Sequence, residues 1–111
     1  MKYDKIKGLE KNISKLIMGN DNQTDYEEAS RLWDHWLEVG GNTFDNAHIY
    51  GGGSMEILLG KWHKSRNNLN DLVIIAKGAH TPNCDPKSLS SQLTESLDRL
   101  QCDSADIYIM H

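Results

Sequence analysis

LVIIAK, residues 72–77, is an unbroken apolar run that ends on a lysine. Valine and isoleucine are β-branched and favour a strand. Alternation is absent, so both faces of the strand are expected to be buried, as in a parallel sheet. Parallel strands need a crossover between them, usually a helix. The sequence on either side should therefore read helix, strand, helix.

It does. Downstream, DPKSLSSQLTESLDRL (85–100) predicts a helix with Asp85 as N-cap, Pro86 at the first helical position, and Leu89, Leu93, Leu97 and Leu100 as its inner stripe. ADIYIMH (105–111) is a further strand. Upstream, SMEILLGKWHKSR (54–66) predicts a helix whose apolar members are Ile57, Leu58, Leu59 and Trp62. Gly60 interrupts it at a cost of about 1 kcal/mol relative to alanine. NTFD (42–45) is short and β-prone. TDYEEASRLWDHWLEVGG (24–41) places Ala29, Leu32, Trp33, Trp36 and Leu37 on one helical face. Thr24 and Glu27 have capping-box spacing, and Gly40 and Gly41 supply the stop. KLIMG (15–19) is a short apolar run, and YDKI and KNIS around KGLE predict an N-terminal β-hairpin. The order is βαβαβαβ, about four parallel strands and three helices, in an α/β fold without linker or domain boundary.

Composition narrows the function. The 111 residues carry a net charge of −4, with 38% hydrophobic and 25% charged residues. One globular domain is expected. A mild acidic balance without a Lys/Arg cluster argues against nucleic acid as a partner. No apolar stretch approaches membrane-spanning length, and the charged start MKYDKIKGLEKNI has no signal core, so a cytoplasmic location is expected. Cys84 and Cys102 read as two reduced thiols. His80 and Cys84 are four apart, but nothing completes a tetrahedral metal site.

The polar residues fall at strand ends: Asp45, Lys77 and His111, with Tyr50 in the loop after the second strand. Each has a bland reading alone, as turn cap, solvent contact or frayed end. Together they sit where parallel α/β folds carry chemistry. A phenol is a weak acid. A lysine ammonium beside it stabilises the phenolate, and a carboxylate holds that ammonium in place. The set suits general-acid protonation of a carbonyl oxygen, with histidine orienting the substrate and a nicotinamide as the natural hydride source.

At these residues the chain resembles the N-terminal part of the aldo-keto reductases. GGNTFDNAHIYGGG (40–53) is similar to the family's strand-two signature leading to Tyr-Gly, with Asn46 where threonine is commoner. LVIIAKGAH (72–80) resembles the segment that carries the family's lysine. LTESLDRLQCDSADIYIMH (93–111) resembles the segment that ends in its histidine. The resemblance implies the N-terminal portion of a (β/α)8 TIM barrel, residues 1–111 being part of one domain, that reduces a small-molecule aldehyde or ketone with NADPH. It implies Tyr50 as proton donor, tuned by Asp45 and Lys77, with His111 orienting the carbonyl. Gly19, Asn20 and Asp45 fall at positions near the cofactor, Asn20 standing where threonine is usual. Met55 departs from the family's Ser-Glu pair, Glu56 matches it, and Ser54 is a candidate N-cap.

GGGSMEILLGK is neither a P-loop nor a dinucleotide fingerprint, because Met55, Glu56 and Trp62 occupy positions those motifs reserve. Gly51 to Gly53 read as a turn that leaves space beside Tyr50. Trp33 and Trp36 read as core, Trp62 as partly exposed, His35 and His63 as solvent-facing, and His48 as a candidate for the pocket mouth. A complete barrel needs about 250 residues and eight strands. The expectation is therefore a truncated chain, inactive alone, with open sheet edges and most cofactor contacts beyond it. Two rivals stand beside the enzyme reading. One is a nicotinamide-binding, channel-associated regulatory subunit of the same fold; the other is a small non-enzymatic interaction domain.

Overall fold

The computed structural model describes all residues, Met1–His111. Strands β1 (Tyr3–Asp4) and β2 (Ile13–Ser14) pair antiparallel as the expected hairpin. The remaining elements alternate: β3 (Met18–Gly19), α1 (Tyr26–Glu38), β4 (Thr43–Asp45), α2 (Ser54–Arg66), β5 (Val73–Gly78), α3 (Pro86–Leu100) and β6 (Ile107–Met110). β3 to β6 form one parallel sheet in chain order. β5, the LVIIAK segment, lies inside the sheet and is buried at every position but Lys77.

Strand parity sorts the side chains. Phe44 and Ile74 are opposite one another in register and turn toward the helices. There they join Ala29 and Trp33 of α1, Leu59 and Trp62 of α2, Leu72, and Leu100 of α3 in one core. Trp33, Phe44 and Trp62 meet as a trio, with ring centroids 5.4 to 6.4 Å apart and edge-on or tilted planes, the arrangement that aromatic quadrupoles favour. Trp62 is thus fully buried, not partly exposed. Its indole N–H donates to Asp34 at 2.9 Å, which lets a polar nitrogen sit at the core boundary.

Several local expectations are corrected. The N-cap of α1 is Asp25, whose carboxylate accepts from the Glu28 N–H at 2.9 Å, so the cap lies one residue beyond Thr24. An ionised cap also favours the positive helix end. Leu32 and Ile57 are exposed, because the core takes only part of each apolar stripe. His63 is buried, with Nε2 2.6 Å from the Leu100 carbonyl, where solvent was expected. Gly60 sits in α2 because the Arg99 carbonyl and Leu100 backbone of α3 pass over it, leaving no room for a Cβ. The helix gives up propensity there to gain close packing. Asp85 caps α3 as read, accepting from Ser88 N–H at 2.8 Å. Ser54 is not a cap; it is the first residue of α2, and its hydroxyl donates back to the Gly51 carbonyl.

Candidate active site

The chain leaves each strand without leaving the sheet's hydrogen-bond ladder. Asn20 N–H donates to the Asp45 carbonyl, Asn46 N–H to Ile75, His48 N–H to Lys77, and His111 N–H to Gly78, at 2.7 to 3.1 Å. These bonds fix the backbone just where Asp45, Lys77 and His111 project. Asp45 and Lys77 share the face opposite Phe44 and Ile74. Tyr50 arrives by a short loop and a 3-10 turn, Tyr50–Gly53. That turn needs its glycines, since Gly51, Gly52 and Gly53 all have φ between +58° and +102°.

The four predicted residues come together. Lys77 Nζ lies 2.7 Å from each oxygen of Asp45 and 3.1 Å from the Tyr50 hydroxyl. The Tyr50 and His111 rings meet edge to face, with centroids 5.7 Å apart. Burial alone would push the Lys77 ammonium down. The hydrogen bonds with Asp45 and Tyr50 outweigh it and hold its pKa above the ordinary lysine value. Burial, then the charge of Lys77, then His80, hold the His111 imidazole below its ordinary pKa. His111 is therefore neutral at neutral pH and presents both a donor and an acceptor nitrogen.

The residues assigned to the cofactor divide. Gly19 is opposite Asp45 in register, with nothing within 4 Å of where a Cβ would stand. Asn20 is fully buried behind it and donates from Nδ2 to Asn46 Oδ1 at 2.6 Å, while its own Oδ1 has no partner. Asn46, remarkable in the sequence only as a substitute for threonine, is thus Asn20's anchor. His48 does not turn to the four residues; its Nε2 is 2.7 Å from Glu95 on α3. The residue missed in the sequence is His80, whose ring centroid is 4.8 Å from that of His111. Its only signal was a place three residues beyond Lys77. The surface concavities are lined by other residues, and Lys77 and Asp45 keep 14% and 33% of their side chains exposed.

Residues 15–111 match the model of the aldo/keto reductase family. The chain belongs to that family. Among aldo/keto reductases and related oxidoreductases, it is 31% identical to the uncharacterized oxidoreductase YrpG of Bacillus subtilis (strain 168), over 89% of this chain and 36% of that protein. It is 33% identical to norsolorinic acid reductase B of Aspergillus parasiticus, over 77% of this chain and 26% of that protein. The fold superposes on the holo form of an aldo-keto reductase from Bacillus halodurans with a TM-score of 0.82 and 29% identity, covering 100% of this chain and 40% of that one. A thermostable aldo-keto reductase in complex with the inhibitor epalrestat gives a TM-score of 0.81 at 28% identity, covering 43% of its chain. The four-stranded parallel sheet and three helices are therefore part of an aldo/keto reductase TIM barrel. The chain spans between about a quarter and a third of the curated relatives it matches. No helix is long and apolar enough to cross a membrane.

Proposed function

We propose that residues 1–111 form the N-terminal part of a single barrel domain in a cytoplasmic, NADPH-dependent oxidoreductase. The whole protein reduces the carbonyl of a small-molecule aldehyde or ketone, and Tyr50 delivers the proton. The observation that carries this is Lys77 Nζ held at once by both oxygens of Asp45 and by the Tyr50 hydroxyl. The family membership supports the oxidoreductase class.

The steps assigned to this chain are proton and orientation steps. Asp45 fixes the Lys77 ammonium by a two-oxygen contact and balances its charge. Lys77 then donates toward the Tyr50 oxygen and offsets the negative charge left there when the phenol proton departs. Neutral His111, edge-on to Tyr50, donates a hydrogen bond to the substrate oxygen and holds it within reach of that proton. Such donors act most strongly when fixed before reaction, and the strand ends fix these.

The site's residues fit a nicotinamide. Gly19 leaves open space level with Asp45, and Asn20 keeps an unpartnered buried acceptor beside it. Gly19, Asn20 and Asp45 would hold the ring end of the cofactor. When bound, NADPH supplies the hydride that reduces the carbonyl carbon.

The test is NADPH consumption by the whole protein against a panel of aldehydes and ketones, with Tyr50→Phe alongside. The variant should lose about 10²- to 10⁴-fold in kcat and keep its affinity for NADPH. Near-normal turnover in Tyr50→Phe would remove Tyr50 from the role of acid. Tight NADPH binding with no turnover by the unaltered protein would overturn the enzyme reading.

A further inference from the structure

Arg99 lies in the last turn of α3, and its side chain is mostly buried. One nitrogen donates to the His48 carbonyl at 2.9 Å and to Glu56 Oε2 at 3.2 Å; the other lies 3.5 Å from Glu95. The Glu56 side chain is 0% exposed, and its second oxygen has no partner. A carboxylate so buried needs a paired charge, and Arg99 is the cation it meets.

The contact with His48 reaches toward the chemistry. His48 is two residues from Tyr50, and its backbone is held from both sides, its N–H by the Lys77 carbonyl and its carbonyl by Arg99. Beyond Tyr50 come three glycines in left-handed conformation. Glycines bring no side chain to fix such a loop and lose the most conformational freedom when it is ordered. At Gly53 the guanidinium fills the missing side chain's place: a Cβ there would lie 2.6 Å from Arg99 Cζ.

We infer that Arg99 is a positioning residue for the proton donor: by gripping the His48 carbonyl and seating Gly53, it sets where the Tyr50 hydroxyl stands relative to Lys77. This rests on the reading of Tyr50 as acid. The rival role is structural, namely that Arg99 only neutralises Glu56.

Two variants of the whole protein separate the roles. Arg99→Lys keeps a charge for Glu56 but lacks the guanidinium plane whose Cζ and Nε seat Gly53. Its kcat should fall about ten- to a hundredfold, the range in which sub-ångström to ångström misplacement is felt, while KM for NADPH and the unfolding midpoint stay near those of the parent. The double variant Glu56→Leu with Arg99→Leu removes the need for neutralisation altogether. Under the positioning role it stays impaired; recovery of parental kcat would overturn the inference. Unchanged kcat in Arg99→Lys would overturn it too.

NMR of ring-labelled tyrosine gives a readout free of turnover. The Tyr50 signal, flanked by Lys77, Asp45 and His111, should shift and broaden in Arg99→Lys even if the parent reduces no carbonyl tested. An unmoved Tyr50 signal would count against positioning. Absence of turnover in the parent would count only against the enzyme reading.

Discussion

Phe44 and Asp45 are neighbours in β4 and face opposite sides of the sheet. Phe44 is fully buried between Trp33 and Trp62, in a layer held by apolar area and ring geometry. Asp45 keeps a third of its side chain exposed and holds Lys77 through two short charge-assisted bonds. One side tolerates no water and little change of volume. The other is built from groups that are stable enough only because they satisfy one another. The helix-facing side fixes where the strands end, and the strand ends fix where Asp45, Lys77 and His111 stand. Damage to the first should appear as lost stability with an intact site, and damage to the second as lost chemistry with an intact fold.

The largest test of that division is Trp62→Ala. Trp62 is in contact with both other rings of the trio and donates to Asp34. Its removal leaves a cavity among Trp33, Phe44 and Leu59, and loss of about 3–5 kcal/mol of unfolding free energy is expected. Asp34 keeps its two hydrogen bonds from Arg66, at 3.0 and 2.7 Å, so no charge is left stranded. Denaturant unfolding measures the loss. Below the unfolding transition, the Tyr50–His111 ring contact should persist in NMR spectra. Its disappearance in a folded variant would show that the two sides are not separable.

Lys77→Met strikes the other side. The methionine stem approximates the lysine stem but carries no charge, so Asp45 loses its partner and Tyr50 its donor. Turnover of the whole protein should fall at least about tenfold. A second signature lies in His111. Burial comes first among the causes of its lowered pKa, and the Lys77 charge comes second. Removing that charge should move the His111 midpoint upward, toward the ordinary histidine value. The sign for stability follows from linkage. A histidine whose folded pKa is depressed contributes stability above its unfolded pKa, near 6.5, and loses it as pH falls from there to the folded value. Lys77→Met should narrow that window. A His111 midpoint that does not rise would mean that the Lys77 charge has no part in setting it.

Much of this was legible in the sequence, for reasons that differ along the chain. LVIIAK read as an interior parallel strand because an unalternating β-branched run has few other places to go, and β5 lies inside the sheet. The clustering of Asp45, Tyr50, Lys77 and His111 was legible because strand ends in a parallel sheet lie on one edge. Burial within helices was harder. Periodicity gives a face but not what will cover it. Leu32 and Ile57 carry the right spacing and lie outside the core, while His63 carries the wrong polarity and lies within it. Contacts between distant segments were the least legible: Asn20 to Asn46, His80 to His111, and Gly60 beneath α3 depend on how helices and loops pass one another. Phe44 and Asp45 fall between: strand geometry sets neighbours on opposite faces but does not say which side chains each will meet.

The smallest expected effect concerns the start of α1, where two readings of the sequence compete. Thr24 has the spacing of a capping box with Glu27, yet Asp25 has the cap geometry, with φ −122°, ψ 129° and an accepted bond from Glu28 N–H. An aspartate at this place satisfies one of the unpaired N–H groups and also meets the positive end of the helix. Asp25→Ala should therefore cost about 1 kcal/mol. Thr24→Ala, one residue outside, should stay within about 0.5 kcal/mol, as surface changes usually do. α1 brings Ala29 and Trp33 to the core and no side chain to the Asp45–Tyr50–Lys77 cluster. Loss of the cap should thus lower stability without altering the His111 titration midpoint. A larger loss from Thr24→Ala than from Asp25→Ala would return the cap to the capping box. A shift of the His111 midpoint in Asp25→Ala would show that the helix-facing side reaches the strand ends through the backbone of α1.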